Sequence, residues 1–170
     1  MTKVFIITAD WLKDHVRYIS ANVDNDLLDL SIIEAQDIEL QAILGASLYN
    51  RVINDIKAGE LTGKYEELTN GFILNVVTYH AIRRAINKML FRLTNQTVGT
   101  YNRDGVEPVD FQALNFLRSS LKKDADFYTQ RLINHLKDNK SDYPEWGGEV
   151  GRDLRPKTTP RHGYGMDLSS

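Results

Sequence analysis

The chain has 170 residues, of which 42% are hydrophobic and 26% are charged, and it contains no cysteine. A chain of this length can bury a core without covalent staples, and the lack of cysteine excludes disulfides and thiolate metal sites. The formal net charge of −2 gives no reason to expect a strongly attractive field for nucleic acid. The apolar run at the N-terminus is too short for a secretory signal or a membrane span, so we predict no membrane association.

Hydrophobic residues recur at helical spacing along most of the chain, between caps and glycines that are typical of helix ends. The predicted helices cover residues 8–18, 24–44, 48–57, 72–93 and 110–137. Thr8 and Asp24 are the predicted caps of the first two helices, and Gly45 and Gly59 are the predicted stops after the second and third. The second of them carries two apolar stripes, which is typical of a central helix or of one that also meets a partner chain. Residues 59–71 are predicted to form a loop with one helical turn.

Two segments lack a helical period. Residues 94–109 contain Asp104-Gly105 between short β-prone runs, which predicts a hairpin, although an extended loop fits the same residues. From Asp138 onward the chain is rich in proline, glycine and aromatic residues, so this tail is expected either to bind a partner surface or to be disordered. We therefore predict an all-α fold: a bundle of four to five helices with a protruding loop or hairpin. Residues 1–138 would form the helical domain and residues 139–170 an extended C-terminal arm.

No sequence motif supports catalysis or cofactor binding. The segment from Gly59 to Lys64 resembles a phosphate-binding loop, but it is one residue short and Tyr65 stands where Ser or Thr should be. The four histidines lack the partner four residues away that a helical metal site needs. We therefore expect no enzymatic activity, no cofactor and no bound metal.

The charges are segregated along the chain. There is no Lys or Arg between Tyr18 and Asn50, and no Asp or Glu between Leu68 and Arg103. Basic residues recur every four positions in the second of these stretches, so they would form one ridge on the long helix. Three arrangements fit this pattern. The acidic and basic residues would pair within one chain, which we favour slightly, or they would pair across a subunit interface. In the third arrangement, the basic ridge would face DNA in a channel. The candidate interface residues are Arg84, Lys88, Arg92, Asp26, Asp29, Glu34 and Asp37.

The order of several short motifs resembles the head–tail connector (adaptor, or head-completion) proteins of tailed phages. The similarity is greatest to versions from phages of Bacteroidetes, including crAss-like phages, and it covers residues 6–136. The motifs that carry it are Ile7-Thr8-x-x-x-Leu12-Lys13, Leu44-Gly45-x-x-Leu48-Tyr49, Thr94-Asn95-x-x-Val98-Gly99 and Ala125-x-x-Tyr128-x-x-Arg131-Leu132.

This resemblance implies a structural virion protein, made in the host cytoplasm and located at the head–tail junction. It implies a closed ring, twelve-fold by the same resemblance, that lies below the portal, extends the DNA conduit and docks the tail. The expected partners are other copies of the chain, the portal protein, the next connector or tail protein and, without sequence specificity, packaged DNA. The residues expected to dock partners from the loop and the arm are Val98, Tyr101, Arg103, Tyr143, Trp146, Arg152, Arg155 and Tyr164. The alternative function is a small helical nucleic-acid-binding regulator, which the basic ridge would support.

Overall fold

The computed structural model describes residues 3–16, 19, 21–93, 98–100 and 111–147. These residues form an all-α bundle, as predicted, with one short pair of strands. The α-helices are α1 (Ala9–His15), α2 (Asn25–Glu34), α3 (Gln41–Ala58), α4 (Gly63–Leu68), α5 (Leu74–Leu90) and α6 (Phe111–Asp138). Two π-helical segments, Ala35–Leu40 and Thr69–Ile73, join α2 to α3 and α4 to α5. The strands are β1 (Phe91–Leu93) and β2 (Val98–Thr100), and a 3₁₀ turn, Lys140–Asp142, follows α6.

The predicted caps begin and end the first helices. The Thr8 hydroxyl accepts a hydrogen bond of 3.1 Å from the Trp11 amide, and an Asp24 carboxylate oxygen accepts one of 3.0 Å from the Asp26 amide. Both bonds satisfy amides that the first helical turn leaves unpaired. Gly59 ends α3 in the left-handed region, with φ of 70°, where a side chain would be strained.

The first π-helical segment explains the two apolar stripes of the second predicted helix. The stripe on α2 leads through Leu28 and Ile32 to Ala35, all fully buried. A π turn holds one residue more than an α turn, so the next buried position is Leu40. Ile38, which regular α-helical spacing would place in the core, is instead 49% exposed. The buried face therefore follows one stripe as far as Ala35 and the other stripe from Leu40, while Leu30 on α2 stays 50% exposed.

Gly45 breaks the helix, as expected, with φ of 73° and ψ of 161°. Two other predicted boundaries are wrong. The predicted loop over residues 59–71 is much shorter, because α4 begins at Gly63 and runs through the second π-helical segment into α5. At the other end, α5 stops at Leu90 and not at Leu93.

Strand β1 follows α5 directly. Strand β1 pairs antiparallel with β2, and Arg92 lies opposite Gly99. The prediction that Arg92 continues the basic ridge of α5 is therefore wrong, because the β-prone residues after Leu90 pair as a strand. A hairpin does exist, but its strands precede Asp104-Gly105, which falls outside the described residues.

The core extends past α6. Tyr143 and Trp146 are each 3% exposed and pack in the same buried cluster as residues of α1, α3, α5 and α6. The predicted domain boundary at residue 138 is therefore wrong for these two side chains, which belong to the helical domain and not to a partner-binding arm. Within the described ranges, no helix is both long and apolar enough to cross a membrane.

Candidate interaction surfaces

A network of ion pairs joins α5 to the end of α2 and the first π-helical segment. The Arg84 guanidinium donates to both carboxylate oxygens of Glu39, from Nε at 3.0 Å to Oε2 and from Nη2 at 2.8 Å to Oε1. Its Nη1 also donates to Glu34 at 3.0 Å, and Lys88 pairs with the same Glu34 oxygen. The fork of Arg84 thus holds two carboxylates that lie five positions apart on a neighbouring helix.

His80 and Arg83 extend this network towards α6. The Arg83 guanidinium donates to Glu39 at 3.1 Å and to Nδ1 of His80 at 3.2 Å. The same His80 nitrogen lies 3.8 Å from Oε1 of Glu39. On the other side of the ring, Nε2 lies within hydrogen-bond distance of the Thr129 hydroxyl on α6, at 3.0 Å. His80 therefore lies between the ion-pair network and α6.

The network stabilises the charged form of its carboxylates. Burial raises the pKa of Glu39, but the hydrogen bonds and charges of His80 and Arg84 outweigh burial and lower it to about 2. The pKa of Glu34 is likewise raised by burial and lowered more strongly by Lys88 and Arg84. Cations hold both carboxylate oxygens of Glu39 and Oε2 of Glu34. The contacts of the network are those of a structural clamp.

The intrachain interpretation of the charge pattern is therefore correct for Arg84, Lys88 and Glu34. The structure also brings in Arg83 and Glu39, which sequence analysis did not select. Among the remaining acids, Asp26 is exposed and Asp29 half-buried on α2.

Asp37 has partners within the chain. It accepts a hydrogen bond of 2.8 Å from the Tyr49 hydroxyl, and Lys3 lies 3.7 Å away. Burial, and then this bond to Asp37, raises the pKa of Tyr49. Of the loop and arm residues, Val98 lies in β2, whereas Tyr101, Arg103, Arg152, Arg155 and Tyr164 fall outside the described part of the chain.

The residues after α6 are bound to the domain through their polar atoms. The indole nitrogen of Trp146 donates to the Ile43 carbonyl at 3.1 Å, and the Tyr143 hydroxyl donates to the Lys64 carbonyl at 3.3 Å. The Tyr65 hydroxyl donates to Glu145 at 2.9 Å. Two aromatic side chains three positions apart, just after a long helix, were the sequence signal for this packing.

The outward face of α6 carries the most exposed aromatic side chains of the described chain. Phe116 is 78% exposed and Phe127 is 62% exposed. Leu117, on the same helix, is 41% exposed. Single exposed apolar residues are ordinary, whereas two phenyl rings along one helix face indicate a surface that another molecule covers.

An apolar cavity of about 200 Å³ opens between α2, α5 and the first turns of α6. All its lining side chains are apolar: Ile19, Val23, Leu28, Ile82, Ala85, Ile86, Met89 and Leu117. A smaller cavity of about 140 Å³ lies beside Tyr49 and Asp37. Within the described residues, no three His, Asp or Glu side chains are grouped as a metal site would require.

These features define a small helical protein with a charged structural clamp, an apolar pocket and an aromatic helix face. The chain belongs to the family of unknown function DUF6712, whose model matches residues 40–153. The match runs past Trp146, so it includes the segment that packs onto the bundle after α6. No curated protein and no solved structure matches the chain.

Proposed function

We propose that this protein is a structural virion protein of a tailed phage, a head–tail connector subunit that forms a ring below the portal. The observation that carries the proposal is the ordered set of connector-like motifs between Ile7 and Leu136. In the structure, the Leu44-Gly45-x-x-Leu48-Tyr49 motif forms the kink in α3, with three of its side chains buried. The motif near Tyr128 lies on α6, where Ala125 and Leu132 face the core.

The surface of the molecule supports an associating role. A ring built from identical subunits needs two different patches that fit each other. The aromatic face of α6 and the apolar pocket are two such patches, and neither contains a catalytic arrangement. The strands β1 and β2 pair directly after α5, and Val98 of β2 belongs to the loop that the resemblance assigns to docking.

The alternative, a nucleic-acid-binding regulator, depended on a free basic ridge. Arg84 and Lys88 are held by Glu34 and Glu39, so they do not present an array of unpaired cations to phosphates. Non-specific binding to DNA needs such an array, and its strength falls steeply with salt. The charge pairing therefore favours the connector over the regulator.

The proposal is tested by co-expressing the full chain with the portal protein of the same phage and imaging the purified complex by electron microscopy. The expected result is a ring of this protein stacked coaxially on the portal ring. Portal protein from an unrelated phage is the matched control and should not retain the chain. A chain that neither forms a ring nor binds its own portal would contradict the proposal, and salt-sensitive DNA binding by that chain would favour the regulator.

A further inference from the structure

Two exposed phenyl rings lie along one stripe of α6. Phe116 and Phe127 are about three helical turns apart, so their side chains point in nearly the same direction. Lys123 lies between them on the same stripe and is exposed. The core-facing side of the helix carries Leu121 and Leu132, which are 3% and 0% exposed. The stripe is thus the outward face of the longest helix, and no described residue covers it.

The apolar pocket has the size and lining to accept a phenyl ring. Its floor is formed by Leu28, Ile82 and Ala85, which are at most 2% exposed. Met89 and Leu117, which are 38% and 41% exposed, stand at its mouth. An apolar cavity of about 150 Å³ is large enough to hold benzene, so the volume of about 200 Å³ leaves room for one ring. Among the described residues that line the pocket, no polar side chain would orient a polar ligand.

We propose that Phe127 of one copy inserts into the apolar pocket of a second copy. The ring cannot enter the pocket of its own chain, because it lies about 15 Å along the same helix from Leu117 at the mouth. Insertion of Phe127 would bring the exposed stripe of α6 into contact with the neighbouring subunit, which would bury Phe116 as well. One contact between copies thereby buries the two most exposed aromatic side chains and fills the larger apolar cavity.

The separation of Phe127 from the pocket determines the kind of assembly. Each copy offers its ring to one neighbour and its pocket to another, so the contact is head-to-tail and repeats. Such a repeat closes into a ring when the rotation per subunit closes, and otherwise continues as a filament. The closed outcome rests on the proposed function, whereas the contact itself rests only on the pocket and the aromatic stripe.

The first test measures self-association of the full chain by sedimentation velocity over a series of protein concentrations. Phe127→Ser should weaken association by roughly tenfold or more, as loss of a central aromatic anchor does. Met89→Lys, which places a charge at the mouth of the pocket, should weaken it to a similar extent. Leu30→Ser is the matched control: Leu30 is 50% exposed but lies on neither patch, so association should be unchanged. An equimolar mixture of the Phe127→Ser and Met89→Lys chains should form heterodimers and nothing larger, because only one working contact is available.

The absence of cysteine allows a second test that does not depend on loss of binding. A chain carrying Lys123→Cys and Met89→Cys, which keeps Phe127 and places one cysteine on the stripe four residues before it, should form a series of disulfide-linked multimers on mild oxidation. A chain carrying Lys140→Cys with Met89→Cys should not, because Lys140 is exposed but lies after α6, away from the stripe.

Three results would overturn the proposal. A wild-type chain that stays monomeric at every concentration would mean that another molecule, or another part of the same chain, covers the stripe. Cross-linking that stops at dimers would mean that two copies pair symmetrically. Wild-type association by the Phe127→Ser chain would mean that a different surface is used. None of these results bears on whether the protein is present in virions, so failure of this contact is distinguishable from failure of the proposed function.

Discussion

Replacing Trp146 by alanine tests whether the segment after α6 is part of the folded domain. The side chain is 3% exposed, and its indole nitrogen donates to the Ile43 carbonyl at 3.1 Å. Truncation removes a large buried ring, leaves a cavity and leaves that carbonyl without its donor. Loss of a buried aromatic side chain costs about 3–5 kcal/mol, and the total stability of a domain is roughly 5–15 kcal/mol. For a protein of this size, such a loss should lower Tm by roughly 6–20 °C.

The assay is urea unfolding followed by far-UV circular dichroism, because the substitution itself removes a fluorescent tryptophan. Phe116→Ala is the matched control, since this ring is 78% exposed and its removal should change the free energy of unfolding by less than about 0.5 kcal/mol. Both variants are compared at protein concentrations where the chain is monomeric. A loss below about 1 kcal/mol for Trp146→Ala would refute the reasoning, because the segment would then be a detachable arm.

Three further predictions concern the clamp and the glycines. Glu39→Gln should lower the free energy of unfolding by about 2 kcal/mol in urea titrations, because Arg84 then keeps only part of its pairing in a partly buried site; a neutral effect would mean that the network is not a clamp. Because the pKa of Glu39 is lowered from 4.5 to about 2 in the fold, its stabilisation is complete above about pH 4.5 and is lost as the pH falls towards 2. The stability difference between the wild type and Glu39→Gln should therefore shrink over that range, and a constant difference would contradict the assignment. Gly45→Ala should cost about 1–3 kcal/mol because its φ of 73° is strained for any other residue. Gly71→Ala, at a helical site with open space around the new Cβ, should be stabilising by about 0.5–1 kcal/mol in the same urea titrations. Equal effects of the two alanines would contradict the assigned backbone.

Local chemistry predicted the helix ends well. Thr8, Asp24, Gly45 and Gly59 each act through their own backbone or nearest amides, so a single sequence contains the information needed to place them. The charge pattern alone favoured pairing within one chain only slightly over the alternatives, and the structure confirms it for Arg84, Lys88 and Glu34.

The π-helical segments could not be predicted from periodicity. A template with 3.6 residues per turn assigns Ile38 to the buried face, whereas the extra residue of the π turn gives that place to Leu40. The docking of Trp146 was missed for a different reason. It depends on a contact with Ile43, and two positions so far apart in sequence are brought together only by the complete fold.

The candidate interaction surfaces also depend on the complete fold. The exposure of Phe127 and the shape of the pocket follow from how α5 packs between α2 and α6, which no local pattern records. Sequence analysis selected charged residues for the interface because charge is visible in a sequence. In the structure, Arg84, Lys88 and Glu34 form ion pairs within one chain. The candidate interface surfaces are instead apolar: the exposed face of α6 and the apolar pocket.

The copy number of this protein in purified virions, measured against the portal protein by quantitative mass spectrometry, tests the central claim most directly. A connector ring below the portal predicts one copy for each portal subunit, or a small fixed ratio to it. Absence from the particles, with the protein found only in infected cells, would contradict the connector role and favour an intracellular regulator.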